Sequence, residues 1–407
     1  MEAIARPDQL EPILPFVGAP MVKVLTGIRR GGKSTLLQML ADKLTATRPP
    51  GRVVLLNFEK LSLSPLLDAI ELKRHLDATM TEDGTYCILL DEVQDVTGWE
   101  RVVNSLLAEG RADLYVTGSN SRLLSSELST HIAGRYVEFE VQTLSFAEHL
   151  RFVEATTGAE PDIETEFRRY LVRGGFPGTY AVALTDEQVY RAVSDIYASA
   201  LVRDVLTRKV IRNPDMLRRV ALFALDNIGS PFSAASIARY LKSQRRQLDP
   251  DTALNYLGAL TEAYVLNKSA RYDLQGKRLL TVNEKYYAGD HGLVSAMLGP
   301  SDRHLPGILE NIVWAELRRR GHTVHVGKVG QAEIDFVAER HGQRTYLQVT
   351  TTFLDNPDTR QRVLAPLCAV EDAFPRYVLS LEPLALQLEG GINHLRIPDF
   401  LLGDDLR

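Results

Sequence analysis

The residues with the plainest chemistry lie near the amino terminus. Gly27-Ile28-Arg29-Arg30-Gly31-Gly32-Lys33-Ser34-Thr35 contains the spacing G-x-x-x-x-G-K-S. It follows the β-rich run Val22-Lys23-Val24-Leu25-Thr26 and opens the helix-forming stretch 35–40. In that setting the glycines let the backbone curl until successive N–H groups point inward at a phosphate chain. The start of the helix adds partial positive charge at the same place. Lys33 is suited to the β- and γ-phosphates, and the Ser34 hydroxyl to Mg²⁺. Roughly 60 residues further on, Tyr86-Cys87-Ile88-Leu89-Leu90 is an apolar run of the kind buried in a parallel sheet. It ends in Asp91-Glu92, two carboxylates at the carboxyl end of a strand, where open α/β sheets place their ligands. Asp91 is suited to hold Mg²⁺ through water, and Glu92 to orient and deprotonate an attacking water. The expectation is a site for hydrolysis of ATP or GTP. ATP is favoured because no guanine-reading motif is evident.

The elements that must position these groups are bounded by composition. A chain of 407 residues, at about 100–200 per domain, implies two to four domains. With 45% hydrophobic and 24% charged residues it can bury real cores, which excludes disordered and fibrous classes. No apolar run approaches the roughly 18–20 residues that span a bilayer. The first 16 residues carry acids and prolines where a secretory signal has bases and an apolar block, so a cytoplasmic location without membrane partners is expected. Cys87 and Cys368 are too few for a disulfide framework or a cysteine-built zinc site. The nine histidines form no H-E-x-x-H. A net charge of −5 excludes a strongly basic coating protein while permitting one local basic patch.

A longer series of motifs accompanies the phosphate loop: Leu90-Asp91-Glu92-Val93-Gln94-Asp95 with Gly98-Trp99-Glu100, Thr117-Gly118-Ser119, Ala133-Gly134-Arg135, Gly174-Gly175-Phe176-Pro177 and Arg203-Asp204. Together they resemble a family of bacterial and archaeal AAA-superfamily ATPases with an uncharacterised carboxyl-terminal region. The resemblance runs from the phosphate loop to about residue 350. It implies an α/β fold: a P-loop AAA-type core with a helical lid over 1–205, a winged-helix unit over 206–290, and a restriction-endonuclease-like domain over 300–407. By the same resemblance, Ser119 or Asn120 would sense the γ-phosphate, although Gly-Ser-Asn also suits a plain strand-end turn. Arg135 is either a finger acting on a neighbouring subunit's nucleotide or a surface arginine. The same resemblance implies a conserved role for Arg203-Asp204.

Past residue 160 the spacing predicts mostly helix to about 205, interrupted at the Gly174-Gly175 turn. Asn213-Pro214 marks the next boundary. The order helix, helix, helix, hairpin then follows to about Tyr287, with Ser233 as an N-cap and a turn at Asp273-Leu274-Gln275-Gly276. Residues 215–285 hold eleven basic and seven acidic residues, net +4 within an acidic chain. Lys242, Arg245 and Arg246 before the third helix, and Lys268, Arg271, Lys277 and Arg278 around the hairpin, are placed to meet phosphates of a duplex. Such units serve equally as protein-contact modules. In the last domain, Glu310 on a helix and Asp335 on a strand sit where nucleases of that type place metal-binding carboxylates. Gln348 and Thr350 stand where a further acid and a lysine belong, so a nuclease shape without nuclease chemistry is expected. The combined expectation is Mg²⁺-dependent ATP hydrolysis coupled to binding or remodelling of DNA, with branched or repair intermediates as candidate substrates, by a self-associating ring. The alternative is a nucleotide-dependent signalling or assembly switch whose carboxyl-terminal domains bind protein.

Overall fold

The computed structural model describes residues 4–121, 134–207, 211–354, 356–383, 388–403 and 406. They form two compact units, residues 1–142 with 262–264, and residues 143–261 with 265–407.

The first unit is built on five strands: β1 (Val22–Thr26), β2 (Val53–Asn57), β3 (Tyr86–Asp91), β4 (Ala112–Thr117) and β5 (Tyr136–Glu140). All pair in parallel, in the order β2-β3-β4-β1-β5. Every residue of β1 and β3 is buried, because helices cover both faces. Alternate residues serve opposite cores. Ile88 and Leu90 pack with helices α3 (Ala69–Thr79) and α4 (Trp99–Glu109), following the short α1 (Pro7–Leu10) and the long α2 (Lys33–Thr47). Cys87 and Leu89 pack with Leu36, Leu37, Leu40 and Leu44 of α2. That period of two in the strand against three to four in the helix is what lets one strand feed two hydrophobic layers. Lys23 breaks the apolar run of β1 without leaving the interior. Its ammonium pairs with Asp113 and donates to the carbonyls of Ala19 and Met21, each at 3.0 Å.

The second unit opens with α5 (Phe146–Thr157), α6 (Ile163–Arg173) and α7 (Asp186–Ala200), which runs on into a wider π-helical turn, Leu201–Leu206, carrying Arg203 and Asp204. Helices α8 (Pro214–Asp226), α9 (Ala234–Ser243) and α10 (Pro250–Glu262) follow in the expected order. Asn213 and Ser233 cap α8 and α9 through their side chains, and Ser233 forms a complete capping box. Strands β6 (Leu266–Asp273) and β7 (Arg278–Ala288) form the hairpin. After α11 (Gly292–Leu298) and α12 (Leu305–Arg319) come β8 (Thr323–Val329), β9 (Ala332–Arg340) and β10 (Gln343–Val349). Then follow α13 (Pro357–Cys368), β11 (Arg376–Ser380), β12 (Ile392–Arg396) and α14 (Ile397–Leu402).

Two parts of this unit differ from the division expected from sequence. The hairpin is not a free wing. β6 pairs in parallel with β8, and one seven-stranded sheet runs β12-β11-β10-β9-β8-β6-β7. The helices over 146–200, expected to belong to the ATPase core as its lid, fold into the second unit. The Gly174-Gly175 turn explains the latter. Asp290 accepts the Gly175 N–H at 2.8 Å, and a Cβ on Gly174 would lie 2.1 Å from the same carboxylate. With φ at +75°, Gly174 is a position only glycine fills without strain. Among the described residues no helix is long and apolar enough to cross a membrane.

Candidate nucleotide site

The parallel order places the carboxyl ends of β1, β3 and β4 along one edge, with β4 between the other two. Gly27 leaves β1 with φ at +133°, and a Cβ there would stand 2.2 Å from the Val141 carbonyl oxygen. The loop then ends on Gly32, which precedes α2 in a left-handed conformation, so that Lys33 and Ser34 are the first residues of the helix. Lys33 is buried and its Nζ donates back to the carbonyls of Gly27 at 2.9 Å and Ile28 at 3.0 Å. The ammonium therefore lies inside the loop, within the cradle that its own backbone forms. Arg29 reaches Glu59 at 3.4 Å. Arg6, 3% exposed, clamps the loop from beneath, with Nη1 donating to Gly31 O and Nη2 to Gln142 O, both at 2.9 Å.

Asp91 ends β3 and is buried. Its Oδ1 accepts from the Ser34 hydroxyl at 3.1 Å and the Thr117 hydroxyl at 2.6 Å, and its Oδ2 from Asn57 Nδ2 at 2.6 Å. Burial raises the Asp91 carboxyl above its ordinary range, against the hydrogen bonds from Thr117 and Ser34 that favour its ionised form. Glu92 takes a left-handed backbone, φ 55°, and its N–H donates to Thr117 Oγ1 at 2.9 Å. Its carboxylate accepts from the Gln94 side-chain amide. Thr117 thus joins both acids. Thr117→Val, which keeps the shape and loses the hydroxyl, takes away the acceptor of the Glu92 N–H and leaves Asp91 Oδ1 with Ser34 alone. It is expected to cost about 1–3 kcal/mol in chemical denaturation; an unchanged midpoint would show that the hydroxyl is not holding the pair.

The structure brings Lys33, Ser34, Asp91 and Glu92 together as the spacing predicts. Ser119 and Asn120 are buried just beyond β4. Arg135 is exposed, and its Nη2 donates to Asn104 Oδ1 at 2.8 Å. Ala133 of the same motif lies outside the described residues. Sequence reasoning missed Arg6 and Asn57, and it placed Gln94 and Thr117 in motifs without giving either a role. Asn57 had a signal of its own, since it closes the apolar run Val53–Leu56 just as Asp91 closes β3.

Residues 19–150 match an AAA domain family, and residues 164–304 match a domain family of unknown function. An uncharacterized protein of Haemophilus influenzae is 32% identical over 405 residues, covering 98% of each chain. The chain belongs to this AAA-domain family. An uncharacterized protein of Methanocaldococcus jannaschii is 29% identical over 308 residues, 74% of this chain and 67% of that one. Among solved structures, the Walker-type ATPase of Pyrococcus abyssi is similar with a TM-score of 0.52 and 16% identity, covering 71% of this chain and 93% of that one. That likeness is one of fold. The family's P-loop architecture is the one that β1, the glycine loop and α2 build here.

The second constellation named from sequence is also assembled, with an addition. Glu310 of α12 and Asp335 of β9 converge on the Lys285 ammonium of β7, at 2.9 and 3.2 Å, and Glu333 joins them at 2.9 Å. Gln348 accepts the Asp335 N–H at 3.0 Å and donates to the Glu333 carbonyl at 3.2 Å. Thr350 turns to its own loop, donating to Thr352 O at 3.3 Å. Lys285 is 1% exposed. Burial opposes its charge, but Glu310, Asp335 and Glu333 outweigh that and hold it well above its ordinary value. Three carboxylates share this ammonium, and Arg271 stands 3.9 Å from Glu333 as a further cation. Burial, with Asp335 beside it, pushes the Glu310 carboxyl up to about 8 against the pull of Lys285.

Below pH 4.5 Glu310 carries a proton whether folded or unfolded. Between there and about 8 only the folded form keeps it, so stability falls as pH rises through that window and then levels. Glu310→Gln is expected to flatten this part of the profile, read as denaturation midpoints from pH 5 to 9. Parallel profiles for the two proteins would remove Glu310 as the source.

Of the candidate DNA contacts, Lys268 pairs with Glu284 at 3.0 Å and Arg271 is directed at Glu333. Lys277 and Arg278 are exposed at the hairpin tip, and Arg245 and Arg246 are exposed after α9.

Proposed function

We propose that the protein hydrolyses ATP with Mg²⁺ and couples the cycle to DNA. The reading is carried by one observation: the chain of hydrogen bonds Ser34–Asp91–Thr117–Glu92 beside Lys33 at the mouth of the glycine loop. A hydroxyl and a carboxylate 3.1 Å apart are hard oxygen donors of the kind Mg²⁺ accepts while keeping most of its waters. Ser34 and Asp91 would hold that ion, which would neutralise charge on the phosphates. Lys33 leaves its loop carbonyls to meet the β- and γ-phosphates, and the loop N–H groups and the start of α2 stabilise the remaining negative charge. Glu92, fixed by Thr117 at its backbone, aligns a water in line with the γ-phosphorus and takes its proton. Ser119 or Asn120 would report on the γ-phosphate. Arg135 would act across a subunit boundary in a ring, exchanging Asn104 for a neighbour's nucleotide.

Coupling to DNA rests on the helical order α8–α9–α10 with its hairpin, and on the net positive charge of that stretch within an acidic chain. The switch reading has its own support, because Lys268 and Arg271 of the hairpin already face carboxylates of their own sheet. The two are separated by steady-state ATP hydrolysis with and without single-stranded, duplex and four-way-junction DNA. Stimulation by one form supports the DNA reading. A slow rate indifferent to all three, with a nucleotide-dependent change of assembly state, supports the switch.

A further inference from the structure

Helix α9 and the turn behind it present Arg239, Lys242, Arg245 and Arg246, all exposed. The sequence pointed to the last three and to the hairpin, and the structure adds Arg239. Among the described residues no hydrogen bond or ion pair engages these four side chains, unlike Lys268 and Arg271. A recess of about 770 Å³ lies between α9 and the start of α10, lined by Arg239, Lys242, Gln247, Asp249 and Pro250. Arg245 has a left-handed backbone, φ 59°, which turns the chain sharply behind α9 and keeps the basic run on the surface.

The following helix has the opposite character. In a helix-turn-helix the second helix enters the major groove and reads base edges from its first turns. Here that helix is α10, and its start is acidic. Asp249 caps it by accepting from the N–H groups of Asp251 and Thr252, at 3.0 and 3.3 Å. Its exposed positions are Pro250, Asp251, Leu254 and Asn255, with no basic side chain. Carboxylates at that end would face the negative walls of the groove. The cations instead sit one element earlier. Arg239 and Lys242 lie one turn apart on α9, and Arg245 and Arg246 follow in the turn behind it, so four cations are offered close together to neighbouring phosphates of one strand. Arginine's planar fork also suits phosphate oxygens.

We infer that this face of α9 and its turn docks on the sugar–phosphate backbone of duplex DNA and does so without reading base sequence. The inference rests on the DNA arm of the function proposed above and names the surface that serves it. Backbone contacts position a protein on DNA and carry no sequence information. The binding is therefore steep in salt and indifferent to sequence.

The test is fluorescence anisotropy of the full chain on two duplexes of unrelated sequence and equal length, at several salt concentrations. The expected result is equal affinity for both within about twofold. The combined R239A/K242A/R245A/R246A variant weakens both by about 100-fold or more, and lowers the salt slope by about three to four at 0.9 per phosphate contact. The charge-preserving R239K/R245K/R246K variant keeps most of the affinity, and thermal denaturation checks that both variants fold. Unchanged binding by the alanine variant overturns the inference. So does a strong preference for one duplex that Asn255→Ala abolishes, since that assigns base readout to α10. If the wild-type chain hydrolyses ATP but binds neither duplex, this inference fails while the hydrolysis reading stands. If it does neither, both fail.

Discussion

Glu92→Gln is expected to bind ATP as the wild-type chain does, within about twofold, and to hydrolyse it about 10²–10⁴ times more slowly. The substitution is nearly isosteric. It leaves the Glu92 backbone N–H on Thr117 and the surrounding hydrogen bonds of Asp91 untouched. The amide still accepts a hydrogen bond from water but cannot take its proton. A loss confined to turnover therefore identifies proton abstraction, whereas a loss of affinity would point to a damaged loop. Lys33→Ala provides the contrast: it removes the buried ammonium from the cradle and should weaken nucleotide binding itself. Equilibrium binding of a fluorescent ATP analogue and single-turnover hydrolysis separate the two effects. Wild-type turnover in Glu92→Gln would place the base elsewhere.

The second large effect is on folding. Lys285→Met replaces the ammonium with an apolar chain of similar length and leaves Glu310, Glu333 and Asp335 crowded in a poorly solvated site. Breaking a buried ion pair from one side costs about 3–5 kcal/mol, because the stranded charge keeps its desolvation penalty. Lys285 also ties three elements, β7, α12 and β9, so its loss should reduce the stability of the second unit by that amount in denaturant titration. Adding Glu333→Gln to Lys285→Met should recover part of the loss by removing one stranded charge. A midpoint near wild type for the single variant would show that the carboxylates are compensated without Lys285. The arrangement also bears on the expectation, from sequence, of a nuclease shape without nuclease chemistry. An internal ammonium stands among the carboxylates where a cation would be held, and Gln348 is spent on backbone hydrogen bonds.

Much of the nucleotide site could be read in the chain itself, because its grammar is local. The glycine loop lies between β1 and α2 within a dozen residues, and Asp91-Glu92 closes an apolar run whose burial its composition declares. Capping was equally plain at Ser233, where side chain and backbone meet within three residues. The hairpin was found at its turn, but its neighbour was not: nothing near Arg271 announces that β6 will pair with β8 some 55 residues later. Thr117 illustrates the same limit: it lies in the motif Thr117-Gly118-Ser119, but nothing along the chain shows that its hydroxyl will join Asp91 and Glu92.

The sequence by itself determined the phosphate loop, the paired acids and the helix-helix-helix-hairpin order past residue 213, since these depend on residue type and spacing over short distances. Only the tertiary structure decided which side chains tune and brace them. Asn57 and Thr117 reach Asp91 across 34 and 26 residues, Arg6 reaches Gly31 across 25, and Lys285 meets Asp335 across 50. Such pairings are set by strand order and by the need to satisfy every buried charge. Neither condition leaves a periodic mark along the chain.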